Sequence, residues 1–399
     1  MTAVAPPAHE RARLSLLADD GAPGGRSFGS AVDRWASVGP YYAMFPIGFA
    51  FDVVRRYTGA GDAVLDPFAG RGSSVYAAAV QGRHALGIEI NPVGWLYGSV
   101  KIRPAPAAGV LSRLREIAAD AREADTNNID HLPEFFHHCF SPDVARFLLE
   151  ARRSLDWRTS RIDGTLMALI LVYLHGKRRQ ALSNQMRDSK AMAPDYAVRW
   201  WTEREMAPPE VDVVAFLEKR ILWRYKYGVP PILGSGSVRL GDSTQVLASV
   251  GERVRRGRAS AFDLLFTSPP YLGVTNYHYD QWLRLWMLGG SDRPRAYEGQ
   301  WTKRFENRQD YVMLLTSVFT QCAEAMRSGA AVYVRTDARE FTREATVDAL
   351  RAAFSGRRIR QIARPVARAT QTSLFGDRGT KPGEVDLVIS AARRAPGSR

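Results

Sequence analysis

The chain has 399 residues, of which 45% are hydrophobic and 24% are charged, proportions typical of a folded protein with a large buried core. Its formal net charge of +14 predicts attraction to polyanions, with DNA as the first candidate and a basic surface without a partner as the alternative. Two cysteines are too few for a disulfide framework, no His/Cys cluster has metal-ligand spacing, and no apolar run has membrane-spanning length. We therefore expect a cytoplasmic protein without a metal or a membrane partner.

Composition and periodicity divide the chain into three parts. Residues 1–31 are rich in Ala, Pro, Gly and Arg, which predicts a flexible N-terminal arm. Strand and helix signals alternate over residues 32–102 and again over 235–399, which predicts one α/β domain with a mostly parallel sheet. Residues 103–234 have mainly helical periodicity, so we expect a helical insertion between the second and third strands.

A glycine turn follows the first predicted strand. Gly70 and Gly72 allow close approach of the backbone to a ligand, and the helix that begins at Ser73 offers free amide groups beside it. The next strand, over residues 84–90, carries Glu89 near its end, where a carboxylate can bind two ribose hydroxyls. The pattern has only G-x-G, so it predicts a nucleotide-type cofactor but not the dinucleotide fingerprint of a hydride-transfer enzyme.

The middle of the predicted insertion interleaves basic, amide and aromatic side chains. Cations suit phosphates, amides suit base edges, and aromatic rings stack on unpaired bases, which favours DNA contact. A helical lid with buried tryptophans and solvated charges is the alternative. The candidate DNA-binding residues are Lys177, Arg178, Arg179, Asn184, Gln185, Arg187, Lys190 and Arg199.

The last two informative strands end in polar residues. The third strand ends at Asp242, which either caps the next helix or contacts a ligand. The apolar run 262–266 ends in Thr267-Ser268-Pro269-Pro270-Tyr271. Two prolines remove backbone donors and leave rigid carbonyl acceptors, so this tip suits the planar amino group of a nucleobase, with Tyr271 as a stacking surface. A stiff turn after a core strand is the alternative.

The tetrapeptide Ser268-Pro269-Pro270-Tyr271 resembles the S/D/N-P-P-Y/F/W motif of the methyltransferases that modify exocyclic amino groups of DNA bases. The resemblance implies a Rossmann-like sheet, S-adenosyl-L-methionine as the cofactor and double-stranded DNA with a flipped target base as the substrate. It also implies that the insertion recognises the target and that cognate restriction or defence proteins are partners. The serine form resembles the cytosine N4 branch more often than the adenine N6 branch.

The resemblance also implies roles for individual residues. Tyr42 and Phe45 would cover the methionine part of the cofactor, Glu89 would bind its ribose, and Asp242 would accept from its adenine amino group. The implied catalytic residues are Ser268, Pro269, Pro270 and Tyr271. The implied cofactor-binding residues are Tyr42, Phe45, Asp66, Phe68, Gly70, Gly72, Glu89, Ile90, Asp242, Ser243 and Thr267.

Alternatives remain for the activity. An RNA guanine-N2 methyltransferase is similar but usually carries Asp before Pro-Pro-Tyr, and a non-catalytic DNA-binding subunit could share the fold. A cytosine C5 methyltransferase needs a thiolate nucleophile, and neither Cys139 nor Cys322 lies in a proline-cysteine turn. The resemblance therefore implies a site-specific DNA amino methyltransferase that acts on cytosine N4, with adenine N6 as the runner-up.

Overall fold

A computed structural model of the chain describes residues 28–40, 46–123, 127–273, 277–294, 307–364 and 383–391. The predictions for residues 1–27, and those for Tyr42 and Phe45, lie outside the described residues. No helix within the described ranges is both long and apolar enough to cross a membrane.

One seven-stranded sheet, counted over the described residues, organises the chain. Its strands are β1 Ala63–Asp66, β2 His84–Glu89, β3 Ser235–Leu240, β4 Phe262–Thr267, β5 Met326–Asp337, β6 Arg360–Arg364 and β7 Glu384–Ile389. Their order is β3-β2-β1-β4-β5-β7-β6, in which β1 to β5 are parallel and β7 pairs antiparallel with both β5 and β6. The order reverses between β1 and β4, which is the switch point of a doubly wound sheet.

Helices connect the parallel strands. Those of the α/β part are α1 Ala31–Ala36, α2 Ile47–Tyr57, α3 Ser73–Val80, α4 Pro92–Ile102, α12 Ser243–Arg255, α13 Tyr277–Asp280, α14 Trp282–Met287, α15 Arg308–Ala325 and α16 Glu340–Ala353. Those between β2 and β3 are α5 Ala107–Glu123, α6 Asn127–Asp130, α7 Glu134–Cys139, α8 Pro142–Ser154, α9 Arg161–Tyr173, α10 Pro194–Thr202 and α11 Val213–Tyr225.

The central strands are buried on both faces, as expected for a parallel sheet covered by helices. Val64 and Leu264 lie side by side in the register of β1 and β4, and they pack in one core with α2 and α3. Leu65 and Leu265, one residue further on, pack on the opposite face with α12, α15 and α16. This alternation follows from the two-residue period of a strand. It fixes both strand tips at one edge of the sheet.

The helices between β2 and β3 share a core with α1, α4 and α14. Within that core, Trp35 Nε1 donates to the Gly228 carbonyl at 3.1 Å, and Trp282 Nε1 donates to the Met192 carbonyl at 3.1 Å. The helical segment is therefore packed onto the α/β part by buried apolar surface and by hydrogen bonds from tryptophans.

The predicted fold class is confirmed: the chain has a Rossmann-like α/β sheet and a mainly helical segment between its second and third strands. The sheet is not parallel throughout, because β7 pairs antiparallel with β5 and β6. β5 begins at Met326, directly after α15. A turn residue, Gly329, lies within β5 and conceals the first part of the strand in the sequence pattern.

Candidate active site

The tips of β1 and β4 meet at the switch point of the sheet. Val64 pairs with Leu264 and Leu65 with Leu265, so the two parallel strands end side by side. Across the gap between them, Thr267 Oγ1 donates a hydrogen bond of 2.6 Å to Asp66 Oδ1. The glycine turn after β1 and the proline tip after β4 therefore lie at one edge, where ligands of open α/β sheets bind.

Asp66 is a buried junction between three segments. Its carboxylate accepts from Thr267, from the Ser74 hydroxyl on α3, and from the Phe68 backbone N–H at 3.1 Å, and its exposed fraction is 2%. Burial raises the pKa of Asp66 to about 6, and the hydrogen bonds oppose that rise. The carboxylate and the Thr267 hydroxyl bind each other, so both residues fix the tips of β1 and β4 relative to each other.

The glycine turn packs closely on α4. Gly70 and Gly72 have φ values of +53° and +73°, which L side chains rarely adopt. A Cβ at Gly72 would lie 2.8 Å from Gly98 Cα, and a Cβ at Gly94 would lie 2.7 Å from the Gly70 carbonyl oxygen. A side chain at these positions would separate the turn from the helix. The turn is therefore shaped by backbone contacts that only glycine allows.

Lys101 supports the turn and was missed by the sequence reasoning. It is fully buried on α4, and its Nζ donates to the Arg71 carbonyl at 2.8 Å. Arg71 Nη1 in turn donates to the Gly39 carbonyl at 2.9 Å. Burial, followed by the repulsion of Arg71 and Arg224, holds the pKa of Lys101 well below its usual range. The signal in the sequence is a lysine on a helix that is otherwise almost wholly apolar.

Glu89 ends β2 beside the glycine turn. Its Oε1 accepts from the Asn91 backbone N–H at 2.7 Å, and its exposed fraction is 8%. Burial raises the pKa of Glu89 to about 8, although backbone N–H groups of Asn91, Gly70 and Ile90 favour the charged form. Ile90 follows as a half-buried apolar residue, and Phe68 is half-buried on the turn. An acid and two apolar side chains thus surround the turn.

Asp242 and Ser243 attach β3 to the same edge. Asp242 Oδ1 accepts from the Thr244 backbone N–H at 2.9 Å and caps α12, one of the two roles that the sequence left open. The Ser243 hydroxyl donates to the Pro67 carbonyl on the loop after β1. These bonds fix the loops after β1 and β3 relative to each other.

The side chains of the proline tip, residues 268–271, are only partly exposed to solvent. Pro269 and Pro270 are buried, whereas Ser268 and Tyr271 are half-buried. The Pro270 carbonyl already accepts a hydrogen bond of 3.0 Å from Tyr311 Oη. For the Pro269 carbonyl, no donor lies within the described part of the chain. Ser268 Oγ makes a long hydrogen bond of 3.4 Å to Tyr271 Oη.

The predicted DNA-binding residues differ in their exposure to solvent. Asn184 is fully buried, and its Nδ2 donates to the His138 and Met206 carbonyls at 3.1 and 2.8 Å. Its amide oxygen accepts from the Gln185 backbone N–H, so Asn184 cannot read a base edge and we remove it from the candidate interface. The exposed basic side chains are Lys177, Arg178, Arg179, Arg187 and Arg199.

The basic loop, residues 177–190, is bound to the helices that follow the proline tip. Lys190 forms an ion pair of 2.5 Å with Asp280, which ends α13. Next to it, Gln281 Nε2 donates to the Ser189 carbonyl at 3.1 Å. Gln185 Oε1 accepts from the Arg178 backbone N–H, so its amide holds the loop's own backbone. The loop and the helices after the tip therefore form one connected surface.

Two sequence comparisons match part of this chain. A model of the N6/N4 methyltransferase family, described as DNA methylase, matches residues 21–93, which include β1, the glycine turn and β2. The type II methyltransferase M.MthZI of Methanothermobacter thermautotrophicus is 41% identical over 49 residues, which make up 12% of this chain and 14% of that relative.

Among solved structures, two of the rRNA methyltransferase aviRa from Streptomyces viridochromogenes align over 92% of this chain and 93% of theirs. Their identity is 13% and their TM-scores are 0.33 and 0.31, values that support no conclusion about fold or substrate. The two sequence matches, in contrast, confirm the predicted resemblance to the exocyclic-amino (N6/N4) DNA methylase family, over residues 21–93 for the family model.

Proposed function

We propose that the protein is an S-adenosyl-L-methionine-dependent DNA methyltransferase that modifies the exocyclic amino group of a flipped base, with cytosine N4 as the target and adenine N6 as the second candidate. One observation carries the proposal. The hydrogen bond between Thr267 and Asp66 brings the glycine turn and the Ser-Pro-Pro-Tyr tip to one edge of the sheet. Cofactor and target base would then share one cavity, as direct methyl transfer requires.

The residues at the turn fit the cofactor. When bound, S-adenosyl-L-methionine supplies a methyl group on a positively charged sulfur. Glu89, at the end of β2, would accept from the ribose hydroxyls, and the half-buried Ile90 would pack on the adenine ring. The turn over Gly70 and Gly72, which packs so closely on α4 that a Cβ at Gly72 would collide with Gly98, lets backbone amides face the ligand.

The residues at the tip fit a nucleobase amino group. Such a nitrogen is a poor nucleophile because it shares its lone pair with the ring. Ser268 Oγ and the Pro269 carbonyl would accept its two protons and favour the pyramidal form, whose lone pair is available. Tyr271 would stack on the extruded ring. Positioning and electrostatics supply the catalysis here, without a covalent intermediate on the protein.

The basic surface of the insertion fits the DNA backbone. Lys177, Arg179 and Arg199 are exposed and lie on the segment that contacts α13 and α14. In a chain of net charge +14, such side chains would neutralise phosphates and position the duplex near the tip.

The test is methyl transfer from labelled S-adenosyl-L-methionine to DNA by the wild type and three variants. Tyr271→Ala and Ser268→Ala should fold normally and lose most transfer, whereas Ser249→Ala, an exposed serine on α12, should behave as the wild type. Digestion to nucleosides and mass analysis then separates N4-methylcytosine from N6-methyladenine. Full activity of both site variants would contradict the assigned site.

Two results would favour the alternatives. Labelled methyl groups in tRNA but not in duplex DNA would indicate a guanine-N2 methyltransferase. A calorimetric titration without cofactor binding, together with retained DNA binding, would indicate a non-catalytic subunit.

A further inference from the structure

An acid that the sequence reasoning missed contacts the predicted base-stacking residue. Glu384, the first residue of β7, accepts a hydrogen bond of 3.1 Å from Tyr271 Oη through its Oε1. Its Oε2 lies 3.4 Å from Arg335 Nη1 on β5. The acid is therefore held between a phenol on the proline tip and a guanidinium on the sheet.

Arg335 is itself firmly fixed. Its Nε and Nη2 donate to Asp386 at 2.7 and 3.1 Å, and Asp386 is fully buried opposite Arg335 in the β5–β7 register. Asp386 also accepts from Tyr333 Oη at 2.5 Å and from Arg364 Nε at 2.7 Å. These partners, despite opposing burial, hold the pKa of Asp386 below its usual range. Arg335 thus provides a rigid, permanently charged donor for Glu384.

The contacts determine which group donates and which accepts in each hydrogen bond. A carboxylate only accepts, so Tyr271 must give its proton to Glu384. The Tyr271 oxygen can then accept from Ser268 Oγ, 3.4 Å away. A serine hydroxyl has one proton and two lone pairs. If its proton is used toward Tyr271, both lone pairs are left for other donors.

We propose that Glu384 is a positioning residue that sets the direction of the hydrogen bonds through Tyr271, so that Ser268 presents lone pairs and not its proton to the target amino group. This role rests on the function proposed above. With the opposite direction, the Ser268 proton would point at the amino nitrogen and occupy the lone pair that must react. Glu384 therefore determines whether the Ser268 hydroxyl accepts from the target amino group or blocks the lone pair of its nitrogen.

The isosteric variant Glu384→Gln gives the sharpest test. Arg335 has donors only, so the glutamine would turn its oxygen toward Arg335 and its NH2 group toward Tyr271. That orientation reverses the hydrogen bonds while the size of the side chain and the Arg335–Asp386 pair are kept. We expect kcat to fall about tenfold, the effect of a single hydrogen bond to a charged group, with KM for DNA changed less than about twofold.

Two further variants complete the design. Glu384→Ala should lower kcat to a similar extent, and either change should have no further effect in a Tyr271→Phe background, because the phenol that transmits it is gone. Glu344→Gln, an exposed glutamate on α16, is the matched control. Thermal melts of each protein establish that the fold is kept.

Each outcome has one reading. Wild-type kcat in Glu384→Gln, or an equal loss in the Tyr271→Phe background, would overturn the positioning role and leave the methyltransferase proposal intact. A wild-type protein that transfers no methyl group to DNA would instead refute the proposed function itself.

Discussion

Replacement of Gly72 by alanine tests whether the glycine turn is shaped by close packing. Gly72 has a φ of +73°, and a Cβ there would lie 2.8 Å from Gly98 Cα on α4. Gly61, in the turn before β1, has a similar φ of +82° but open space around its Cβ position. Gly61→Ala is therefore a matched control that shares the backbone cost and lacks the collision.

The expected loss in the free energy of unfolding is the sum of two contributions. An L residue in the left-handed region costs about 1–2 kcal/mol, and this applies to both variants. Displacement of packed backbone at Gly98 adds about 1–3 kcal/mol at Gly72 alone. We expect Gly72→Ala to lose about 2–5 kcal/mol in the free energy of unfolding and Gly61→Ala to lose about 1–2 kcal/mol.

Urea unfolding measures the two losses, and calorimetry with S-adenosyl-L-methionine measures binding under native conditions. Displacement of the turn should abolish cofactor binding in Gly72→Ala and leave it unchanged in Gly61→Ala. If both variants lose the same stability and both bind the cofactor as the wild type does, the turn is not shaped by its contact with α4, and the proposed cofactor site loses its basis.

Three further predictions concern single side chains. Burial raises the pKa of Glu89 from 4.5 to about 8, so the wild type should lose stability as the pH rises through that window. Glu89→Gln should gain stability relative to the wild type between about pH 5 and about pH 9 in denaturant titrations, and a difference independent of pH would contradict this. Thr267→Val should cost about 1–3 kcal/mol in the free energy of unfolding because Asp66 loses a buried donor. The loss should be larger above pH 6, where Asp66 is ionised, and equal losses on both sides would refute the ionised pair. Lys177→Gln and Arg179→Gln should each reduce the slope of log affinity for DNA against log salt by about 0.9, whereas Arg351→Gln, on exposed α16 surface, should not. Fluorescence anisotropy across a salt series measures the slopes, and an unchanged slope in both loop variants would exclude the loop from the interface.

Local patterns were sufficient for the elements that carry the site. The apolar run before Asp66, the glycines at 70 and 72, and the doubly proline-stiffened tip at 269–270 are short-range signals, because they depend on backbone freedom and on side-chain burial within a few residues. The helix that begins at Ser73 was predicted correctly for that reason, and the ends of β2, β3 and β4 lie within two residues of the predicted ends. The helical segment between β2 and β3 was likewise visible as a change of period.

Contacts between distant segments could not be predicted in this way. The Thr267–Asp66 bond joins residues 201 positions apart, Tyr271–Glu384 joins residues 113 positions apart, and no local pattern encodes either pair. Asn184 has the composition of a base-reading residue, yet the fold buries it and uses all of its amide group. Sequence composition reports what a side chain can do, whereas burial and partners, which arise only when the strands assemble, decide what it does.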